Sequence, residues 1–333
     1  RRFVVSNNYF VCWWNLENLF DSARSPRRSN KLKRALGKSI NQWTTHLRDK
    51  KIAQLVKVIT YLNNGAGPDL LGVCEIENSF VIARLVDALN SQLPNRDYKF
   101  IHYDTTDKRG IDIAYIYASS RLKTSVEHVF QHAVMRRTAT RDILQANFTT
   151  VPRGRQLTVF ANHWPARSGG VHKSSGYRQI AGETLAYFHQ RTIEIYGRKT
   201  AVLVMGDFND EPFDTSLVDH ALSTRNTTKV LRASAPRLYN LMWPTLSEAQ
   251  GSYYFNNFPF MLDQCLVNQA MLHKSSNLKI EVNSVTIENT LPGFIDDNSS
   301  YPQPVRFGGL GKPLNIKGFS DHFPISVIVT ESN

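Results

Sequence analysis

"VLVMGDFND", residues 202–210, sets four apolar residues directly against Gly206-Asp207-Phe208-Asn209-Asp210. The unbroken apolar run predicts a buried strand. Asp207 and Asn209 arrive two residues apart where that strand ends. Asp and Asn are ordinary turn formers after a strand, so the stretch alone permits a plain turn. Its meaning depends on what the other strand ends carry.

Outward from this stretch, short apolar runs alternate with helical patterns, with no internal repeat and no low-complexity linker. That organisation predicts one α/β domain over residues 1–333, with several strands and covering helices. Strands are expected at 70–75, 98–103, 111–117, 156–164, 201–207, 261–267 and 323–329. Ile52, Leu55, Val56, Ile59 and Leu62 recur at helical spacing until "NNGAGPD" stops the helix. A second helix is expected at 79–90, and Ala181, Leu185, Phe188, Thr192 and Ile195 mark the face of a third. Residues 22–45, 165–176 and 291–318 read as loops, and loops of that length are usually functional or mobile.

Composition narrows the class. At 333 residues, 41% hydrophobic, the chain can bury a sizeable core. Forty Lys and Arg against 28 Asp and Glu give a formal charge of +12, which suggests an anionic partner. Cys12, Cys74 and Cys265 each lie in an apolar run; an odd number without metal-type spacing points to buried thiols, not a disulfide scaffold or zinc site. No apolar run is long enough to cross a bilayer. The opening "RRFVVSNN" has no apolar signal core, which leaves open whether a leader was removed.

A restricted set of polar residues recurs at the strand ends. "WWNLENLF" contributes Asn15 and Glu17, "GVCEIEN" Glu75 and Glu77, "RGIDIAY" Arg109 and Asp112. "ANHWPAR" contributes Asn162, His163 and Arg167, "MLDQ" Asp263, and "FSDHFP" Asp321 and His322. Carboxylates, amides and imidazoles on apolar strand ends are costly unless paired or bound to a cation. Oxygen donors with few thiols favour a hard divalent ion, Mg²⁺ first, then Mn²⁺ or Ca²⁺. Two histidines with possible carboxylate partners add acid/base capacity. Metal, base and positive surface together suit attack of water on a phosphate ester.

The order WNxEN, CExEN, NHW, GDFND, LDQ, SDHFP resembles the endonuclease/exonuclease/phosphatase superfamily, from about Asn15 to His322. The resemblance implies a four-layer α/β sandwich, two β-sheets packed face to face with helices outside, as in the deoxyribonucleases. It implies metal binding by Asn15 and Glu75, with Asp321 on the metal side. Asp207 and Asn209 would orient the attacking water and hold the phosphate. His322, oriented by Asp263, and His163, partnered by Asp112, would form the catalytic pair. Glu17 and Glu77 are expected to be structural.

Charge placement guides the substrate. Residues 22–45 hold Arg24, Arg27, Arg28, Lys31, Lys33, Arg34 and Lys38 without an acid, and Arg136, Arg137, Arg141, Arg153 and Arg155 follow later. Arg109, Arg167, Lys173 and Arg178 are expected to hold phosphate. Such a groove suits backbone reading of nucleic acid. The expectation is therefore a sequence-nonspecific endonuclease acting on DNA and, secondarily, RNA. The alternative is a lipid or inositol phosphate phosphodiesterase or phosphatase, sphingomyelinase-like; an inactive binding module would need a missing catalytic position. "GSYYFNNFPF" reads as a core hairpin, not a membrane-contacting one. No protein partner is inferable, and a secreted or periplasmic setting is suggested by the resemblance alone.

Overall fold

The computed structural model describes residues 7–105, 111–135, 140–167 and 170–332. Its principal strands are β1 Asn7–Leu19, β2 Leu70–Ile76, β3 Tyr98–His102, β4 Asp112–Ala118, β5 Ile143–Thr150 and β6 Gln156–His163. They continue with β7 Ala201–Asp207, β8 Tyr253–Phe255, β9 Phe258–Phe260, β10 Asp263–Asn268 and β11 Ile325–Glu331. The helices used below are α1 Asn30–Leu36, α2 Thr45–Tyr61, α3 Ser79–Gln92 and α4 Val171–Tyr196.

Two mixed sheets result. The first runs Leu278–Ile280, β11, β1, β2, β4, β3; the second runs Ser223–Thr224, Leu238–Asn240, β10, β7, β6, β5, Leu122–Lys123. β1 and β2 are parallel, as are β6 and β7. Their C-terminal ends therefore come out side by side, while β10 pairs antiparallel with β7 so that Asp263 begins where Asp207 ends. This is how topology gathers polar residues far apart in sequence.

The sheets pack face to face. A methyl group at Gly72 would lie 2.7 Å from both Met205 of the opposite sheet and Trp13 of its own, so the close approach of β2 to β7 requires glycine. The Tyr115 hydroxyl, on β4, lies 2.8 Å and 2.9 Å from the carbonyl oxygens of Leu144 and Val159 in the second sheet. The glycine of "MGD" has its own reason: a Cβ at Gly206 would stand 2.4 Å from the Asn162 carbonyl oxygen.

Helices cover both outer faces. The Thr44 hydroxyl accepts from the Leu47 amide to start α2, and Asn78 of "CEIEN" accepts from the Phe80 and Val81 amides to start α3. Each cap is worth about 1 kcal/mol. Ile52, Leu55, Val56 and Ile59 of α2 are buried at the expected spacing. On the other face Ala181 and Leu185 of α4 pack with Phe160, Val202 and Val204. Together these make the expected four layers.

Several expectations change. Ile195 is 66% exposed, whereas Thr192 is buried and the neighbouring Tyr196 hydroxyl accepts from Asn147 of β5 at 3.2 Å. Residues 22–45 contain α1 and a 3₁₀ turn, 165–176 contain the start of α4, and 291–318 contain short hairpins. The three cysteines are buried free thiols, as expected. Among the described residues no helix is long and apolar enough to cross a membrane.

One buried group makes the fold sensitive to acid. His189, on α4, is 2% exposed, its Nε2 has no hydrogen-bond partner among the described residues, and burial lowers its pKa to about 4. In the unfolded chain the value is about 6.5. The unfolded state therefore takes the proton first, so stability from neutral His189 is full above about pH 6.5 and is lost as pH falls towards 4. The melting temperature of His189→Leu should fall less steeply than wild type over this window. Parallel pH profiles for the two proteins would reject the assignment.

Candidate active site at the strand ends

Local backbone irregularities aim the side chains. The β1–β2 register shifts between Asn15 and Leu19, and the β2–β4 register shifts between Cys74 and Ile76. Glu75 lies in the second bulge with φ 64°, and Asn209 follows β7 with φ 51°. Such bulges turn a side chain out of the pleat. A cavity of about 840 Å³ opens there, lined by Asn15, Glu75, Arg141, His163, Arg167, Asp207, Asn209, Tyr253, Phe255, Phe260, Lys312, Asp321 and His322.

Asp207 is the centre of the group. Its Oδ2 accepts from the Asn15 amide at 3.1 Å, and its Oδ1 accepts from the Asn209 backbone N–H at 3.0 Å. The Asn209 side-chain amide donates to the Trp164 carbonyl at 3.0 Å, and Asn209 lines the cavity. Burial, then the nearby Asp263 charge, push the Asp207 carboxyl up to about 7, partly opposed by His322. Asp207 and Asn209 are thus held by β1, by each other and by the turn after β6, which is far more than a simple turn requires.

The histidines meet this group from two sides. His163 Nε2 lies 3.6 Å from Asp207 Oδ2 and 3.9 Å from Glu75 Oε1. His322 Nδ1 donates to Asp263 Oδ2 at 2.6 Å, while its Nε2 lies 3.9 Å from Asp321 Oδ1. Burial lowers the His322 pKa, but Asp263 first, then Asp207 and Asp321, outweigh it and raise it to about 10. Asp263 is fully buried and also accepts from the Trp13 indole at 2.8 Å.

The donor chemistry fits a divalent cation. Asp207, Asp263 and His322 present ligand-type atoms within 4.8 Å of one another. The expected metal residues Asn15, Glu75 and Asp321 all line the same cavity. Glu75 Oε2 accepts from the Asn18 amide at 3.0 Å. Asp321 Oδ2 is 3.0 Å from Arg306 and 3.9 Å from Lys312. Burial first and the Asp263 charge second disfavour a charged Asp207, and a cation beside it would favour the charged form.

Three expectations are corrected. Asp112 does not present its carboxylate to His163: it pairs with His102 Nε2 at 3.0 Å and accepts from the Thr105 amide at 2.8 Å. It sits opposite Ile76, one residue beyond Glu75, and β3 supplies the nearer imidazole. Arg178 is fully buried: its Nε lies 2.7 Å from Asp210 Oδ1, and its other nitrogens donate to Ser174, Pro165 and Val171. The "GSYYFNNFPF" hairpin is not core at its tip, since Phe255 is 59% and Phe258 62% exposed.

Other placements are mixed. Arg167 lines the cavity, donating to the Asn209 carbonyl at 2.7 Å and pairing with Asp210 and Asp214. Lys173 is exposed on the first turn of α4, and Arg109 lies outside the described residues, as do Arg136 and Arg137. Glu17 accepts from Arg306 and from the Phe307 and Gly308 amides, and Glu77 from Arg28 and the Asp21 amide. Arg306 and Lys312 stood in no motif, and Trp13 stood in "WWNLENLF" beside the residues that were singled out. Gln264 did stand in "LDQ", and it donates to the Asp210 carbonyl at 2.7 Å. Because Arg178 neutralises buried Asp210, Arg178→Ala should cost about 3–5 kcal/mol in denaturant unfolding. A variant of unchanged stability would undo that structural role.

The comparisons agree with this architecture. A structure of an endonuclease/exonuclease/phosphatase family protein from Bacteroides thetaiotaomicron matches with TM-score 0.53 at 14% identity, over 98% of this chain and 99% of that one. A humanized D. rerio TDP2 matches with TM-score 0.56 at 13% identity, over 97% and 98%. ANGEL2, described as a 2',3'-cyclic phosphatase, matches with TM-score 0.59 at 10% identity, over 99% of both chains. At these identities the likeness speaks for the fold. No curated protein matches the chain. The sequence pattern of the Endonuclease/Exonuclease/phosphatase family matches residues 10–331, and the chain therefore belongs to this family of phosphate-ester hydrolases.

Proposed function

We propose that the protein is a Mg²⁺-dependent phosphodiesterase, a sequence-nonspecific endonuclease that hydrolyses DNA and, secondarily, RNA, in a secreted or periplasmic setting. The observation that carries this reading is the convergence of Asn15, Glu75, His163, Asp207, Asn209 and His322 on one open cavity whose wall also holds Arg141, Arg167 and Lys312. Oxygen donors gather where a phosphate would be attacked, and cations border them where its neighbours would lie.

Glu75 and Asn15, with Asp321 beside them, would hold the ion, and Mg²⁺ suits an all-oxygen set. When bound, it neutralises phosphate charge and stabilises the leaving oxygen. Asp207 and Asn209 orient the attacking water, their geometry fixed by the bonds to Asn15 and Trp164. The histidine pair moves the protons: one leaves the water as its oxygen bonds phosphorus, and one reaches the oxygen whose bond to phosphorus breaks. Asp263 fixes which nitrogen of His322 faces the cavity, since Nδ1 is committed to it.

A second reading, hydrolysis of a lipid or inositol phosphate ester, is favoured by the exposed Phe255 and Phe258. Solved structures of similar fold include one named a mannosyl-6-phosphatase of Bacteroides thetaiotaomicron (TM-score 0.51), so the fold alone does not choose among phosphate esters.

The deciding experiment is supercoiled-plasmid cleavage with Mg²⁺, with Mn²⁺ and with EDTA. Nicking should require metal and fall about 10²- to 10⁴-fold in His322→Ala. Glu75→Gln should abolish Mg²⁺-dependent turnover with a melting temperature near wild type; retained activity would remove Glu75 from the ion. Well-folded protein that leaves every nucleic acid intact, yet hydrolyses sphingomyelin or phosphoinositides, would favour the second reading.

The basic stretch can be tested separately. Arg28 is buried on Glu77, two residues beyond Glu75, which ties this stretch to the catalytic edge, while Lys33 and Arg34 are exposed. Lys33→Glu with Arg34→Glu should weaken DNA binding and flatten its salt dependence, by about one unit of slope for each phosphate that is no longer neutralised. An unchanged slope would make α1 a solvated surface helix.

A further inference from the structure

Beside the catalytic edge, β8 and β9 form a two-stranded ribbon in which Tyr253 pairs with Phe260, and Phe255 with Phe258. Directly opposed residues project to the same side of an antiparallel pair. The four rings therefore share one face, and Tyr254 and Pro259 take the other. At the inner end Tyr253 lies over the His322 imidazole, ring centroids 4.7 Å apart, and the Arg167 guanidinium sits 5.4 Å from the Phe260 ring. At the outer end Phe255 continues the cavity wall.

This face is both exposed and rigid. Phe255 and Phe258 are 59% and 62% exposed. The turn between them is Asn256-Asn257, both with positive φ (50° and 62°), the pairing that tight hairpins favour. Asn257 is pinned to the backbone of Tyr301, donating to its carbonyl at 2.8 Å and accepting from its amide at 3.1 Å. Aromatic rings held in place without burial are available to stack.

We infer that this aromatic face is a base-stacking platform, which makes the substrate single-stranded or locally unpaired nucleic acid. The inference rests on the nuclease reading above. Phe255 stands two residues outward from Tyr253, about 7 Å along the strand, a step that the sugar between a phosphate and its base can span. A base stacks on Phe255 or Phe258 while its phosphate lies at His322 and Asn209. Duplex bases have their faces covered by neighbours, so only an unstacked base can use the platform. The same exposed rings could meet a lipid surface, but the two amides of Asn256-Asn257 at the turn would reach it first, which favours stacking over insertion.

The test measures binding by the intact protein, in EDTA, of a labelled short oligothymidylate and of a base-free deoxyribose-phosphate oligomer of equal length. Wild type should bind the base-bearing strand at least about tenfold more tightly. Phe255→Ala with Phe258→Ala should erase that preference without changing affinity for the base-free strand, and the double tyrosine variant should restore it. Equal wild-type affinities, or equal losses on both strands, would overturn the platform. So would flotation of wild type, but not of the alanine variant, with phosphatidylcholine and sphingomyelin vesicles. Base-dependent binding without Mg²⁺-dependent cleavage of any strand would support the platform and refute the nuclease. Metal-dependent plasmid nicking with no base preference would do the reverse.

Discussion

The Asp263 carboxylate is the constraint on which the site depends. It is fully buried, and three parts of the chain meet on this residue: the Trp13 indole from the opposite sheet, the Ser252 hydroxyl on its amide, and the His322 imidazole. A buried carboxylate deprived of such partners is strongly unfavourable. Keeping them therefore fixes the spacing of the sheets and the orientation of His322 together. Trp14 reinforces the arrangement by donating to the His322 carbonyl at 2.8 Å. The adjacent tryptophans thus reach His322 by two routes, one through each side of β1.

What was legible in the sequence follows from what a one-dimensional pattern can encode. The strands that carry Glu75, His163 and Asp207 were readable because apolar runs mark them and polar residues stop them, whereas β1, which runs through Asn15 to Leu19, was not among the expected strands. Their convergence was readable only through the order of motifs, since spacing along the chain says nothing about which ends are neighbours. Asp112 was misassigned for that reason: His102 reaches it across an antiparallel pair. Arg178 was misread because a guanidinium looks the same in sequence whether it faces solvent or Asp210. Arg306 left no signal, because its tie to Glu17 and Asp321 crosses the loop it sits on.

The burial of some cations changes how the charge should be read. Arg28, Arg48 and Arg178 are each at or below 6% exposed and are paired with Glu77, Asp21 and Asp210. Each pair cancels within the protein. Setting these neutral pairs aside leaves the formal excess of +12 unchanged, so it resides on the other charged residues. The basic stretch around α1 divides in the same way, with Arg28 as its anchor and Lys33 and Arg34 as its outward charge.

The same strand ends hold the least favourable backbone. Glu17, Asn18, Glu75 and Asn209 all have φ between 49° and 64°. Asn tolerates this region well, but for Glu it costs of order 1 kcal/mol or more. Glu17 is held there by Arg306 and two backbone amides, so its strain is offset by the loop it anchors. Glu75 has a different compensation in the bulge that turns its carboxylate into the cavity. A regular β2 would be more comfortable and would carry that carboxylate along the pleat, away from Asp207 and His163. The strain is thus coupled to the site's geometry: the sandwich supplies stability, and part of it maintains a rigid group of carboxylates at one edge.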